Sequence, residues 1–218
     1  MIRRELWRTV AAVGIVLTLG VQLTDTVRLA LDAGLGPADT VTAVVNWFSF
    51  FTTMSAAVAV VALLFRSATV RISAAAYTVI AGLGYFLLLG GLSDPVGSSD
   101  WWTNGILHAV VPVVMLVDLW VGRRSLVVSS GRSVLWKSLL LPAAWAVYTM
   151  IRGPLVDAPF SADPWWYPYG FIDPHVVIGG YLGALGMYVL VGGVLSVLVL
   201  GLSSAPVRTD SGSDRQAH

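Results

Sequence analysis

Three side chains that sit badly in lipid, His108, Asp118 and Arg152, stand inside or at the end of strongly apolar stretches of this chain. A fourth stretch, NWFSFFTTMSAAVAVVALLF at 46–65, carries Asn46, Ser49, Thr52, Thr53 and Ser55 in its first ten residues. Ionisable groups within membrane segments are rare and mark functional sites by default. A lone histidine is suited to general-base work, and it then needs a nucleophile. The nearest plausible hydroxyls are those of Thr52 and Thr53. Arg152 offers two parallel donors of the kind that clamp a carboxylate. Metal and haem chemistry fit poorly. Haem would want paired axial ligands, and the only other internal histidine, His175, falls near the outer end of the last apolar stretch. Zinc needs three or four ligands, and one His among scattered Asp does not supply them. With no cysteine in the chain, disulfides, iron–sulfur clusters and thiolate nucleophiles are excluded. No cofactor and no metal is expected.

Counting from the basic residues that flank the apolar stretches gives each group a depth. Thr52 lies 14 residues before Arg66, His108 lies 15 before Arg123, and Arg152 lies 15 after Lys137. At helical rise this sets all three roughly 21–23 Å above the inner boundary of a hydrocarbon core about 30 Å thick. A hydroxyl, an imidazole and a guanidinium from three helices thus share one layer. Asp118, ten residues beyond His108, falls about 15 Å deeper and cannot orient it directly. It reads as a polar contact near the inner end of its helix. Asn46, Ser49 and Thr53 follow i, i+3, i+7, and with Thr52 and Ser55 they cover about half the helix circumference. Ser, Thr and Ala are also the usual residues of close helix–helix contacts in membranes, and Ser and Thr can bond their own i−4 carbonyls.

The elements that must hold these groups are membrane helices. The 218 residues are 56% apolar and only 11% charged, against about 25% charged in a soluble domain. Six apolar segments stand out, near 7–25, 43–65, 72–92, 104–121, 134–151 and 176–201. The expected fold is all-α: one polytopic six-helix transmembrane domain over 1–203, then a polar, disordered tail over 204–218. The charged, apolar N-terminus resembles a signal peptide but lacks a small-x-small cleavage site, so it reads as a retained first span. With the N-terminus inside, eleven of the thirteen basic residues fall on the cytoplasmic side, all but Arg28 and Arg152. Asp25, Asp32, Asp39, Asp94, Asp100, Asp157, Asp163 and Asp173 gather on the other. Six spans return the C-terminus to the cytoplasm, and a multi-pass protein of the cell membrane is expected. The net charge of +1 and the lack of a basic cluster beyond membrane-flanking arginines give no sign of a nucleic-acid partner. Linkers are short except for 26–42 and 152–175. The second of these, DAPFSADPWWYPYGFIDPH in its later part, is dense in Pro and aromatics and could cover the outer mouth of the bundle.

Three motifs in order carry a family resemblance: FFTTMS in the second segment, NGILHAVVP with Asp118 ten residues after His108, and WWYPYGFIDP before the last segment. Together they resemble the androgen-induced-gene family of transmembrane hydrolases, most closely its bacterial six-span (Pr-six-Pr) relatives, over nearly the whole chain. The resemblance implies a threonine hydrolase acting on fatty acid esters of hydroxy fatty acids. The family's Phe-Thr-x-x-Ser pattern falls on Phe51, Thr52 and Ser55, which selects Thr52 over Thr53. Its histidine falls on His108 with Pro112, and its aromatic element on Trp166, Tyr167, Pro168 and Tyr169. The bacterial relatives usually follow the Ser with Asn, where Ala56 stands here, and Arg152 has no clear counterpart in the animal members. The expected catalytic pair is Thr52 and His108. Asn46, Ser49, Asn104, Arg152, Trp166, Tyr167 and Tyr169 are the expected substrate contacts, with Asn46, Asn104 or backbone amides as oxyanion donors. The expected substrate is a membrane lipid or fatty ester. The other reading is a non-enzymatic lipid-binding or small-solute membrane protein with a polar pocket in the outer leaflet.

Overall fold

The structure, a computed structural model, describes residues 2–65, 67–91, 93–122 and 130–204, with the side chains of 2–4 left out. Arg66, Arg123, Arg124, Arg208 and Arg215, which entered the orientation count, lie outside the described residues. So does the expected tail, apart from Ser204. Among the described residues the fold is all-helical: α1 (Ile2–Asp32), α2 (Pro37–Ser49), α3 (Phe51–Leu64), α4 (Ala68–Leu88), α5 (Ser99–Gly122), α6 (Gly131–Arg152) and α7 (Gly180–Ser204). Five of these, α1, α4, α5, α6 and α7, are long and apolar enough to cross a membrane. The pair α2–α3 passes the same test only when taken together.

The central helix is α4. Its apolar window is 61% buried, against 11% for α7. Ala74, Ala75 and Ala76 are fully buried, and small side chains let neighbouring helices come close. Ser73 Oγ meets Ser138 Oγ at 2.6 Å and the Tyr77 hydroxyl donates to the Ser138 carbonyl, tying α4 to α6. Thr149 Oγ1 and the Tyr188 hydroxyl, 2.5 Å apart, tie α6 to α7.

Three features differ from the expectations. The stretch 43–65 is not one straight span: it bends by 61° at Phe50, which takes an extended ψ of 132°. No Pro or Gly lies there. The cause is a rewired ladder of hydrogen bonds. Trp145 Nε1, from α6, donates to the Ser49 carbonyl at 2.8 Å, the acceptor an unbroken helix would offer to the Thr53 amide. The Thr53 hydroxyl donates to the Trp47 carbonyl at 3.0 Å, and Ser49 Oγ to the Val45 carbonyl at 2.7 Å. The Thr53 and Ser49 hydroxyls thus bond the backbone around the break, which starts α3 one residue before Thr52. Much of the expected 26–42 linker is also helical, since α1 runs on to Asp32 and α2 starts at Pro37.

The third difference concerns Arg8 and Arg71. The orientation count treats them as boundary anchors, yet they are only 8% and 3% exposed. Arg8 Nε lies 2.6 Å from Asp118 Oδ1, and Arg71 Nε lies 2.5 Å from Asp118 Oδ2. Arg71 Nη2 also donates to the Asp118 carbonyl at 2.5 Å. Asp118 is wholly buried and joins α1, α4 and α5 far from the histidine, as its depth implied.

Candidate active site

The break at Phe50 sets Thr52 in the first turn of α3, where backbone N–H groups have no partner within the helix. Across from it, α5 contains a π-helical turn, Ile106–Val110, that carries His108. Such turns are inserted irregularities, frequent at functional sites. Gly82 of α4 lets this turn approach, because a Cβ added there would lie 2.5 Å from the His108 carbonyl oxygen. Gly82→Ala is therefore expected to cost about 1–3 kcal/mol by overpacking, read as a lowered unfolding temperature of the purified protein. An unchanged temperature would show that the turn yields freely.

Thr52 Oγ1 stands 3.0 Å from His108 Nε2. The other ring nitrogen, Nδ1, lies 3.0 Å from the Asn104 carbonyl oxygen. A carbonyl can only accept, so in the neutral ring Nδ1 carries the hydrogen and Nε2 is left as acceptor. The Thr52 hydroxyl then donates to His108. The Tyr85 ring stacks on the imidazole, with centroids 4.1 Å apart and planes 14° from parallel. Asp94 holds both supports: its Oδ2 accepts from Asn104 Nδ2 at 2.9 Å and from the Tyr85 hydroxyl at 3.4 Å. Gln22 Nε2 donates to Asn104 Oδ1 at 3.3 Å.

Tyr169, from the loop between α6 and α7, completes the group. Its hydroxyl oxygen accepts from the Thr52 amide at 3.3 Å and lies 3.3 Å from Thr52 Oγ1. The Phe51 amide faces the same oxygen. Burial pushes the Tyr169 phenol above its ordinary value, so it stays protonated and can donate. The hydrogen bonds form one directed chain, from Tyr169 to Thr52 to His108 to the Asn104 carbonyl.

The expected site residues divide into two groups. Thr52, His108, Asn104 and Tyr169 line one cavity of about 530 Å³, called here the polar cavity, together with Gln22, Asp25 and Arg28 and with the apolar Leu29, Phe50 and Leu89. Asn46, Ser49, Arg152, Trp166 and Tyr167 line neither that cavity nor the apolar one beside it. They pack α2 against α6 and the loop instead. Arg152 Nη2 donates to Asn46 Oδ1 at 2.7 Å, and its guanidinium carbon lies 5.5 Å from the centre of the Trp166 ring. Ser49 Oγ pairs with the Tyr148 hydroxyl at 2.8 Å. The Tyr167 ring lies against Gly153, where any added Cβ would collide with it. Sequence reasoning missed Tyr85, Asp94 and Gln22. Asp94 was counted only as an outer charge, and a Tyr and a Gln inside apolar helices were the available signals.

Comparison with known proteins adds no relative: no protein-family model, no curated protein and no solved structure matches this chain.

Proposed function

We propose that this chain is a multi-pass protein of the cell membrane with both termini cytoplasmic, and that it hydrolyses lipid esters by a Thr52–His108 pair, as a relative of the androgen-induced-gene hydrolases would. The observation that carries the reading is the 3.0 Å contact between Thr52 Oγ1 and His108 Nε2, with the accepting nitrogen turned toward the hydroxyl by the Asn104 carbonyl. A threonine hydroxyl is a weak nucleophile until a base takes its proton. His108 accepts that proton as Oγ1 bonds to the ester carbonyl carbon. It then gives the proton to the departing alkoxide as the carbon–oxygen bond breaks, which leaves an acyl-threonine. Water, deprotonated by His108, attacks the acyl carbon, frees the carboxylic acid and restores Thr52.

Negative charge on the carbonyl oxygen needs preorganised donors. The Tyr169 hydroxyl, whose oxygen is held by the Thr52 and Phe51 amides, supplies one in this reading, in place of Asn46, which lines neither cavity, and Asn104, whose Nδ2 donates to Asp94. The test is a fluorophosphonate probe on the purified protein with mass mapping of the adduct. A Thr52 adduct that is lost in His108→Ala is expected. Equal labelling of wild type and Thr52→Ala would reject the assignment. Bound lipid recovered intact, with no labelling, would favour the lipid-binding reading.

A further inference from the structure

The polar cavity has an apolar neighbour of similar volume, about 530 Å³, between α4, α6 and α7. It is bounded by Phe51, Trp145, Leu83 and Leu190, among others, and volumes of this order suit a lipid-sized ligand. Tyr169 lines both cavities. A Thr52-bound ester has two sides, an acyl chain and an alcohol. His108 must hand its proton to the alcohol oxygen, and His108 lines the polar cavity but not the apolar one. The alcohol is therefore on the polar side, and the apolar cavity past Tyr169 is the place for the acyl chain.

The polar side then specifies the alcohol. Gln22, Thr26 and Asn104 line it, and its charged groups are Asp25, Asp32 and Asp100 against the one guanidinium of Arg28. Leu29, Trp47, Phe50 and Leu89 also line it, so apolar groups find contact there too, but three carboxylates against one cation disfavour an anion. Arg28 stands among those carboxylates, and Arg152, the cation expected to clamp a substrate carboxylate, is bonded to Asn46 and lines neither cavity.

We infer that the substrate is an acyl ester of a neutral or cationic alcohol, rather than the anionic fatty acid ester of a hydroxy fatty acid that the family resemblance implies. The inference rests on the hydrolase reading above. It is tested with purified protein in nanodiscs and three esters that share a palmitoyl chain: palmitoylcholine, monopalmitoylglycerol and the palmitoyl ester of hydroxystearic acid. The first two are expected to exceed the third in kcat/KM by roughly tenfold or more, the scale on which a cleft of one charge sign acts. Asp25→Asn, Asp32→Asn and Asp100→Asn combined should lower palmitoylcholine turnover more than monopalmitoylglycerol turnover. In the wild-type protein, added salt should do the same by screening, a readout that stands if the triple variant fails to fold. Fastest Thr52-dependent cleavage of the hydroxystearate ester would overturn the inference and leave the hydrolase reading intact. Cleavage of none of the three, or cleavage that survives Thr52→Ala, would overturn both.

Discussion

Thr52→Ala is expected to lower the rate of ester hydrolysis by roughly 10⁴- to 10⁶-fold, the scale on which removing a nucleophile acts, while the protein remains folded. The substitution removes one hydroxyl and one methyl at a half-buried position. The α3 start is set by the Trp145–Ser49 and Thr53–Trp47 bonds, neither of which involves the Thr52 side chain. His108→Gln is expected to cost roughly 10²- to 10⁴-fold, the usual contribution of a general base. Glutamine can hydrogen-bond the hydroxyl but cannot take its proton. The double variant should be little worse than Thr52→Ala alone, because residues that act as a unit do not add. Thr52→Ser keeps the oxygen and should retain measurable turnover. Single-turnover assays on a palmitoyl ester, with circular dichroism as the folding control, check all four. Additive losses in the double variant would mean that the two residues do not act on one proton, and the 3.0 Å contact would then be incidental.

Which parts of this site could be read in the chain follows from what each kind of residue records. Distance from a flanking basic residue gives height along a helix but not direction around the bundle. Depth counting set Thr52, His108 and Arg152 in one layer, and the structure has two of them in contact while the third faces Asn46. Azimuth depends on which helices are neighbours, and only packing decides that. The bend at Phe50 was hidden for a similar reason. Its decisive hydrogen bond comes from Trp145, 96 residues away, and no local breaker announces it. The hydroxyls were visible, and the i−4 bonding of Ser49 was among the readings given for them. That Thr53 reaches back six residues to the Trp47 carbonyl required the bend to exist already. Arg8 and Arg71 show the limit of charge counting: an arginine near a helix end is an anchor until a buried carboxylate competes for it. A lone Asp in an apolar helix needs a partner, so Asp118 was the signal that two of the anchors were already engaged.

That competition makes Asp118 a position whose loss should strongly affect the fold. Asp118→Ala is expected to destabilise the protein by about 3–5 kcal/mol, the cost of breaking a buried ion pair from one side. The penalty comes less from the lost attraction than from what stays behind, two buried guanidiniums deprived of their carboxylate. The two arginines should not respond alike. Arg71 keeps its bond to the backbone carbonyl at position 118, whereas Arg8 Nε loses the Asp118 oxygen that it meets. Replacing all three together, as Asp118→Leu with Arg8→Met and Arg71→Met, should recover much of the stability. A matched apolar cluster avoids desolvating any charge and is often neutral or stabilising relative to the ion pair. Equilibrium unfolding in mixed detergent micelles measures both variants. Asp118 is ten residues from His108 along α5, about 15 Å by helical rise, so the folded fraction of each variant should keep wild-type esterase activity per molecule. A triple variant no more stable than Asp118→Ala would mean that these charges hold α1, α4 and α5 in register, a task that apolar packing alone does not perform.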